Sequence, residues 1–174
     1  MAIVDTYLAV ASKRDERRYA DRPLPADVVD RILDAGRLAG SAGNRQPWRF
    51  LLIETPELRD RVAETVYAPA NVRTAALAVA LAVAGKGPTA FDAGRAAQNM
   101  MLTAWSEGVA SCPNGVAEPE RAAGLLGLGD DDRLVIVLGF GYAARRRDPD
   151  SQSAAEWSAR ANRKPLGEVV VRLP

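Results

Sequence analysis

Residues 75–84 run Ala-Ala-Leu-Ala-Val-Ala-Leu-Ala-Val-Ala, and any fold that accepts so apolar a stretch must cover it on both faces. Leu77, Val79, Leu81 and Val83 alternate with alanine at the period of a strand, although the alanine content leaves a helix open. A second aliphatic run, residues 134–142, closes in Gly139-Phe140-Gly141-Tyr142 and is the least ambiguous strand of the chain. Phe50-Leu51-Leu52-Ile53 is too short for a helix and reads as a third buried strand. Around these runs lie helical stripes: Val4, Tyr7, Leu8 and Ala11; Val28, Val29, Ile32, Leu33 and Gly36; Leu58, Val62, Ala63 and Val66; Ala93, Ala97, Met100, Met101 and Ala104; and Ala122, Ala123, Leu125 and Leu126. A chain of 174 residues with this pattern is expected to form one domain, large enough to bury roughly 70% of its unfolded surface.

The connections carry their own signals. Gly40-Ser41-Ala42-Gly43-Asn44-Arg45-Gln46-Pro47-Trp48 joins a helix to a strand, and by itself it is either an ordinary turn or a loop that wraps a ligand. Pro47 is expected to hold Gln46 extended. Residues 67–71 predict a surface loop, and Ser111-Cys112-Pro113-Asn114-Gly115 a second loop of small residues. Thr89 is placed to cap the long helix, with Asp92 in its first turn, where the dipole favours a carboxylate. Lys13, Arg14 and Arg17 can converge on one anion if the chain leaves the helix there, or form a solvated face. Residues 143–160 are polar and read as an arm outside the core, and residues 169–173 as a final strand. An arm followed by a strand suits exchange between protomers, the alternative being a strand that returns to its own sheet.

Composition excludes more than it suggests. With 23 basic and 22 acidic side chains the net charge is +1, so no overall field recruits nucleic acid or an anionic membrane. The longest apolar run, residues 75–85, is too short to span a bilayer, and the single cysteine, Cys112, forms no intrachain disulfide; a cytoplasmic protein is expected. The chain has no histidine, which removes Ser-His-Asp and Cys-His catalysis and histidine-ligated metals. An enzyme built from it is expected to rely on a bound cofactor.

Taken in order, the basic cluster from Lys13 to Tyr19, Leu24-Pro25, Ser41-Ala42-Gly43-Asn44-Arg45-Gln46-Pro47-Trp48, Ala96-Ala97-Gln98-Asn99-Met100, the stretch from Gly108 to Gly115, and Arg163-Lys164-Pro165-Leu166 resemble the FMN-dependent nitroreductase superfamily over nearly the whole chain. The resemblance implies an α+β fold, a three-layer arrangement in which a mixed, mainly antiparallel sheet is flanked by helices and completed by the partner subunit's C-terminal strand. The chain would then be one FMN-binding domain, residues 1–174, with residues 143–174 as an extended dimer arm and residues 169–173 as the exchanged strand. The same resemblance assigns the FMN phosphate to Lys13, Arg14, Arg17, Arg163 and Lys164, and assigns Gly40, Ser41, Ala42 and Asn44 to a partner's flavin. Pro113, Asn114 and Gly115 would line the ring, with Asn71 facing it. Asp15 stands where the family has serine, and its side chain is expected to turn away from phosphate. Residues 86–91 pass into the helix without a lid insertion, which implies an open site. The activity implied is ping-pong transfer from NADH or NADPH through FMN to a nitroaromatic, quinone or similar small acceptor. The alternatives are a flavin dehydrogenase or reductase acting on C–C or C–N bonds, and a non-enzymatic flavin-binding protein.

Overall fold

The computed structural model describes residues 5–145 and 148–173. Four strands, β1 (Trp48–Leu52), β2 (Leu77–Ala84), β3 (Ala110–Asn114) and β4 (Asp132–Gly141), form one sheet in the order β1-β2-β4-β3, with every neighbouring pair antiparallel. The expected mixed sheet is thus antiparallel among the chain's own strands, and the parallel pairing found among the described residues is the isolated bridge between Asp15 and Ser111. Helices α2 (Ala26–Arg37) and α5 (Thr89–Ser106) pack with one apolar cluster, while α3 (Pro56–Ala63), α4 (Pro69–Arg73) and α6 (Pro119–Leu125) contribute to a second.

The alternation in β2 explains the two clusters. Leu77, Val79 and Leu81 join the cluster of α2 and α5, and Ala78 and Ala80 join the other, so the large side chains take one face and the small ones let helices approach the opposite face. In β4, Ile136, Leu138 and Phe140 pack with the first cluster and Val137 with the second. Leu134 breaks this parity. Leu81 pairs with Ile136 but Ala82 pairs with Leu134, and the bulge turns Leu134 into the second cluster. Where α2 meets α5, a Cβ on Gly36 would lie 2.8 Å from Met100 Cγ and 2.9 Å from Phe50 Cζ, so the close approach requires glycine.

Contacts divide the chain into two compact units, residues 14–147 and, separately, residues 1–13 with 148–174. The sheet and α2 to α6 belong to the larger unit. In the smaller one, α1 (Thr6–Ser12) packs with α7 (Ala154–Ala159), which follows a 3-10 turn at Pro149–Ser151. Asp5 caps α1 by accepting from the Tyr7 and Leu8 amides at 2.9 and 3.0 Å. A reciprocal capping box between Ser153 and Glu156 starts α7. Trp157 is buried and donates through Nε1 to the Pro149 carbonyl at 2.9 Å. Part of the segment expected as a polar arm outside the core therefore holds a buried tryptophan of its own.

Three further expectations are corrected, and the expected C-terminal strand has no pairing within the described residues. Residues 67–71 are not wholly a surface loop, because α4 begins at Pro69 and buries Asn71 and Val72; proline at the first helical turn is pre-set for that geometry. Residues 111–114 lie in β3 and not in a loop, with Pro113 tolerated because an edge strand can leave one N–H position unpaired. Pro88 is the N-cap of α5, and the Thr89 hydroxyl accepts from Arg133 at 3.2 Å instead of capping. Leu166–Val169 forms a helical turn, α8, and residues 170–173 carry no strand assignment within the chain, since a strand needs a neighbour with which to pair.

Candidate functional site

The loop before β1 is held in an unusual conformation. Gly43, Asn44 and Gln46 all have positive φ, at 58°, 53° and 50°, so Gln46 is left-handed and not extended as Pro47 had implied. Glycine takes this region freely and asparagine tolerates it better than glutamine, so the strain falls on Asn44 and Gln46, at about 1–3 kcal/mol each, which surrounding bonds must offset. Those bonds are present. The Gln46 amide donates to Ser41 Oγ at 2.8 Å, and the Ala42 amide to Asp92 Oδ2 at 3.1 Å. Arg45 donates to the Lys86 carbonyl at 3.3 Å. Asp92 is only 3% exposed, so α5 anchors the loop through a buried carboxylate in its first turn. Gly40 lies against Arg95, where a Cβ would come within 2.5 Å of Nη2. Ser41 and Ala42 are half-buried, while Gly43 and Asn44 are exposed.

A second group assembles around β3. The chain leaves α1 at Lys13, whose ψ of 129° ends the helix, and the next residues run alongside β3. The Glu16 amide donates to the Ser111 carbonyl at 3.1 Å, which brings the Arg14–Arg17 segment to this edge of the sheet. Asn71 is 1% exposed; its Nδ2 donates to the Cys112 carbonyl at 3.4 Å and its Oδ1 accepts from the Tyr19 hydroxyl at 2.7 Å. Tyr19 also donates to the Gly139 carbonyl at 3.0 Å. Burial, with smaller contributions from Cys112, Asp15 and Glu16, raises the Tyr19 pKa, so the hydroxyl keeps its proton. Cys112 is a packed thiol, 1% exposed.

Beside this network lie unpaired polar groups. Asn114 Oδ1 and Nδ2 and Ser111 Oγ are buried without a hydrogen-bond partner, in residues 2% and 0% exposed. Such groups are uncommon in a folded interior and mark a place that a bound group or water completes. Gly115 follows directly, with the exposed Tyr67 ring over it, 3.1 Å from where its Cβ would stand. In the smaller unit, Asn162 has a φ of 49°, Arg163 donates to the Ala161 carbonyl at 3.0 Å, and Arg163 and Lys164 are exposed.

The structure therefore brings Arg14, Arg17, Asn71, Pro113, Asn114 and Gly115 to the β3 side, whereas Gly40 to Asn44 lead into β1 at the opposite edge of the sheet. With two strands between them, the edges are separated by about 14 Å. Among the described residues there is no group of three or more His, Cys, Asp or Glu arranged to hold a metal, and no helix long and apolar enough to cross a membrane.

A family model for the nitroreductase family matches residues 10–88 and 83–142. The chain belongs to the nitroreductase family. It is accordingly an oxidoreductase. It is 29% identical over 169 residues to a Methanothermobacter thermautotrophicus protein named as an NADH dehydrogenase/NAD(P)H nitroreductase, with 88% of each chain covered. Its fold matches a nitroreductase family protein of Clostridium difficile with a TM-score of 0.79 at 24% identity, covering 98% of both chains. It also matches the NADPH:FMN oxidoreductase of Vibrio harveyi, solved with NAD+, with a TM-score of 0.82 at 20% identity, covering 97% of this chain and 77% of that one.

Two residues that hold these two groups together have roles the sequence did not show. Asp92 is an anchor of the loop and not only a dipole partner; its signal was a carboxylate on the apolar stripe, four and eight residues before Ala96 and Met100. Tyr19 closed a basic cluster and gave no sign of its buried hydroxyl, whose partners lie 52 and 120 residues away.

Proposed function

We propose that the protein is an FMN-dependent NAD(P)H oxidoreductase that reduces nitroaromatic, quinone or similar small acceptors in a ping-pong cycle. The observation that carries this reading is the strained loop from Gly40 to Gln46, anchored by Asp92 and presenting small residues and Asn44 at the edge of the sheet opposite β3. A loop stabilised in a costly conformation, far from the rest of its own site, suits a role toward a second copy's cofactor. The residues present fit FMN. Lys13, Arg14, Arg17, Arg163 and Lys164 supply the cations and forked donors that a phosphate ester takes, and the unpartnered Asn114 amide stands next to Gly115 and Pro113, assigned to the ring.

When bound, the flavin would supply the hydride chemistry. The chain's own contributions are position and charge. Pro113, Asn114 and Gly115 give the ring a wall, and Asn71 holds that wall by its bond to the Cys112 carbonyl. Gly40, Ser41, Ala42 and Asn44 reach the cofactor of the partner in a homodimer, which residues 170–173, beyond the helical turn that takes up Val169, complete by adding a strand. No side chain is required as acid or base, because solvent protonates the product; this suits a chain without histidine. We place the enzyme in the cytoplasm, in keeping with one buried thiol and no disulfide.

Anaerobic titration of the FMN-loaded protein with NADH and with NADPH tests the reading. The flavin absorption should bleach with at least one of them and return on adding a nitroarene or quinone. A chain that fails to take up FMN, or a flavin that neither nucleotide bleaches, would overturn it. Arg163→Ala is expected to weaken FMN binding by about 1–3 kcal/mol, read by flavin fluorescence quenching.

A further inference from the structure

A cleft of about 450 Å³, lined by none of the residues assigned to FMN, opens between the segment from Tyr19 to Pro23 and helices α3 and α4. Three of its lining residues are arginines, Arg22, Arg59 and Arg73, against one carboxylate, Asp21. The strongest feature is Arg59. Its Nη1 donates to the Ala75 carbonyl at 2.7 Å, and its Nη2 lies 3.5 and 3.4 Å from the Ile53 and Glu54 carbonyls. Those acceptors are neutral, and Nε is buried without a partner. Arg59 is half-buried and makes no ion pair among the described residues, so its charge is not balanced by a carboxylate. A cation held partly out of water in this way favours any anion that can reach it.

Its neighbours add to the field. The Arg22 guanidinium stacks 4.0 Å from the centre of the Tyr142 ring, which fixes its plane without neutralising it. Arg73 is paired only loosely, at 3.5 Å from Asp60, in a contact exposed to solvent on both sides. Arginine is the side chain best matched to an oxyanion, because its planar fork offers paired donors and its charge persists at any physiological pH.

We propose that this cleft is a second binding site, which takes a small phosphate-bearing metabolite or free phosphate on Arg22, Arg59 and Arg73. Its lining shares no residue with the loop at Gly40 to Asn44 or with Pro113 to Gly115, and the proposal does not rest on the flavin reading. The probes are inorganic phosphate and glycerol 3-phosphate. Each is titrated calorimetrically into the full chain with FMN in excess and at constant ionic strength, because a basic cleft also attracts anions non-specifically at low salt. Saturable binding of inorganic phosphate is expected, and tighter binding of the ester would identify the natural ligand as a larger metabolite. Arg22→Gln should weaken binding about tenfold, the scale of one charge-assisted hydrogen bond, and Arg59→Met by at least as much. Arg163→Ala, directed at the flavin phosphate, should leave it unchanged. No saturable binding of either probe, binding that Arg22→Gln does not change, or binding lost in Arg163→Ala would overturn the proposal. Arg22 is exposed and its side chain hydrogen-bonds no backbone group among the described residues, so its variant decides the matter even if Arg59→Met does not fold.

Discussion

The Tyr19 hydroxyl serves two buried acceptors, Asn71 Oδ1 and the Gly139 carbonyl, and through Asn71 it holds the strand that carries Pro113 and Asn114. Tyr19→Phe leaves the buried Asn71 Oδ1 without this donor and is expected to destabilise the protein by about 1–3 kcal/mol in urea denaturation. The pH dependence has a defined sign. The unfolded chain ionises this tyrosine near its ordinary 10.0, while the folded chain keeps the proton to higher pH. Stability from this group is therefore complete below pH 10.0 and is lost as pH rises above it, a slope that Tyr19→Phe should remove. Asp92→Ala tests the loop at the same scale. It strands the Ala42 amide and frees a strained segment, and the expected outcome is weaker FMN binding by about 1–2 kcal/mol with a smaller change in stability. Equal FMN affinity in the variant would show that the loop conformation is not needed for the cofactor.

Among the elements, α7 is six residues long and depends on its cap more than on its length. Ser153 lowers the Glu156 pKa from the ordinary 4.5 by hydrogen bonds from its hydroxyl and its backbone amide. The capping contribution is complete above pH 4.5 and is lost as pH falls through the lower folded value. Trp157 fluorescence should accordingly change in that acid range, and Glu156→Gln should flatten the change. Apolar runs located β1, β2 and β4, and periodicity located α2, α3 and α5, because burial writes itself into spacing. β3 escaped, since Ser111, Pro113 and Asn114 have the composition of a turn and become a strand only because β4 offers an open ladder. Gln46 escaped for a related reason: the bond from its amide to Ser41 Oγ outweighs the local preference imposed by Pro47.

For the whole molecule, the C-terminal segment poses the main question of assembly. Leu166, Val169, Val170, Val171 and Leu173 are 76%, 58%, 47%, 80% and 84% exposed, far more apolar surface than a short solvated tail requires. On the proposed homodimer, truncation after Pro165 is expected to lower the mass in sedimentation to that of a monomer and to lower FMN affinity with it; a truncated chain of the same assembly state as the full chain would remove the tail from the proposed interface. The sequence by itself determined the family, the strand and helix periods of the core and the absence of histidine chemistry. These follow from local composition and from the order of motifs along the chain. Only the tertiary structure decided that Asp92 pins the loop, that Tyr19 reaches Asn71, that the Asn114 amide is buried without a partner, and that Arg59 sits unbalanced in a basic cleft. Each of those depends on groups far apart in sequence meeting in a low-dielectric interior, where one hydrogen bond made or missed outweighs any local preference.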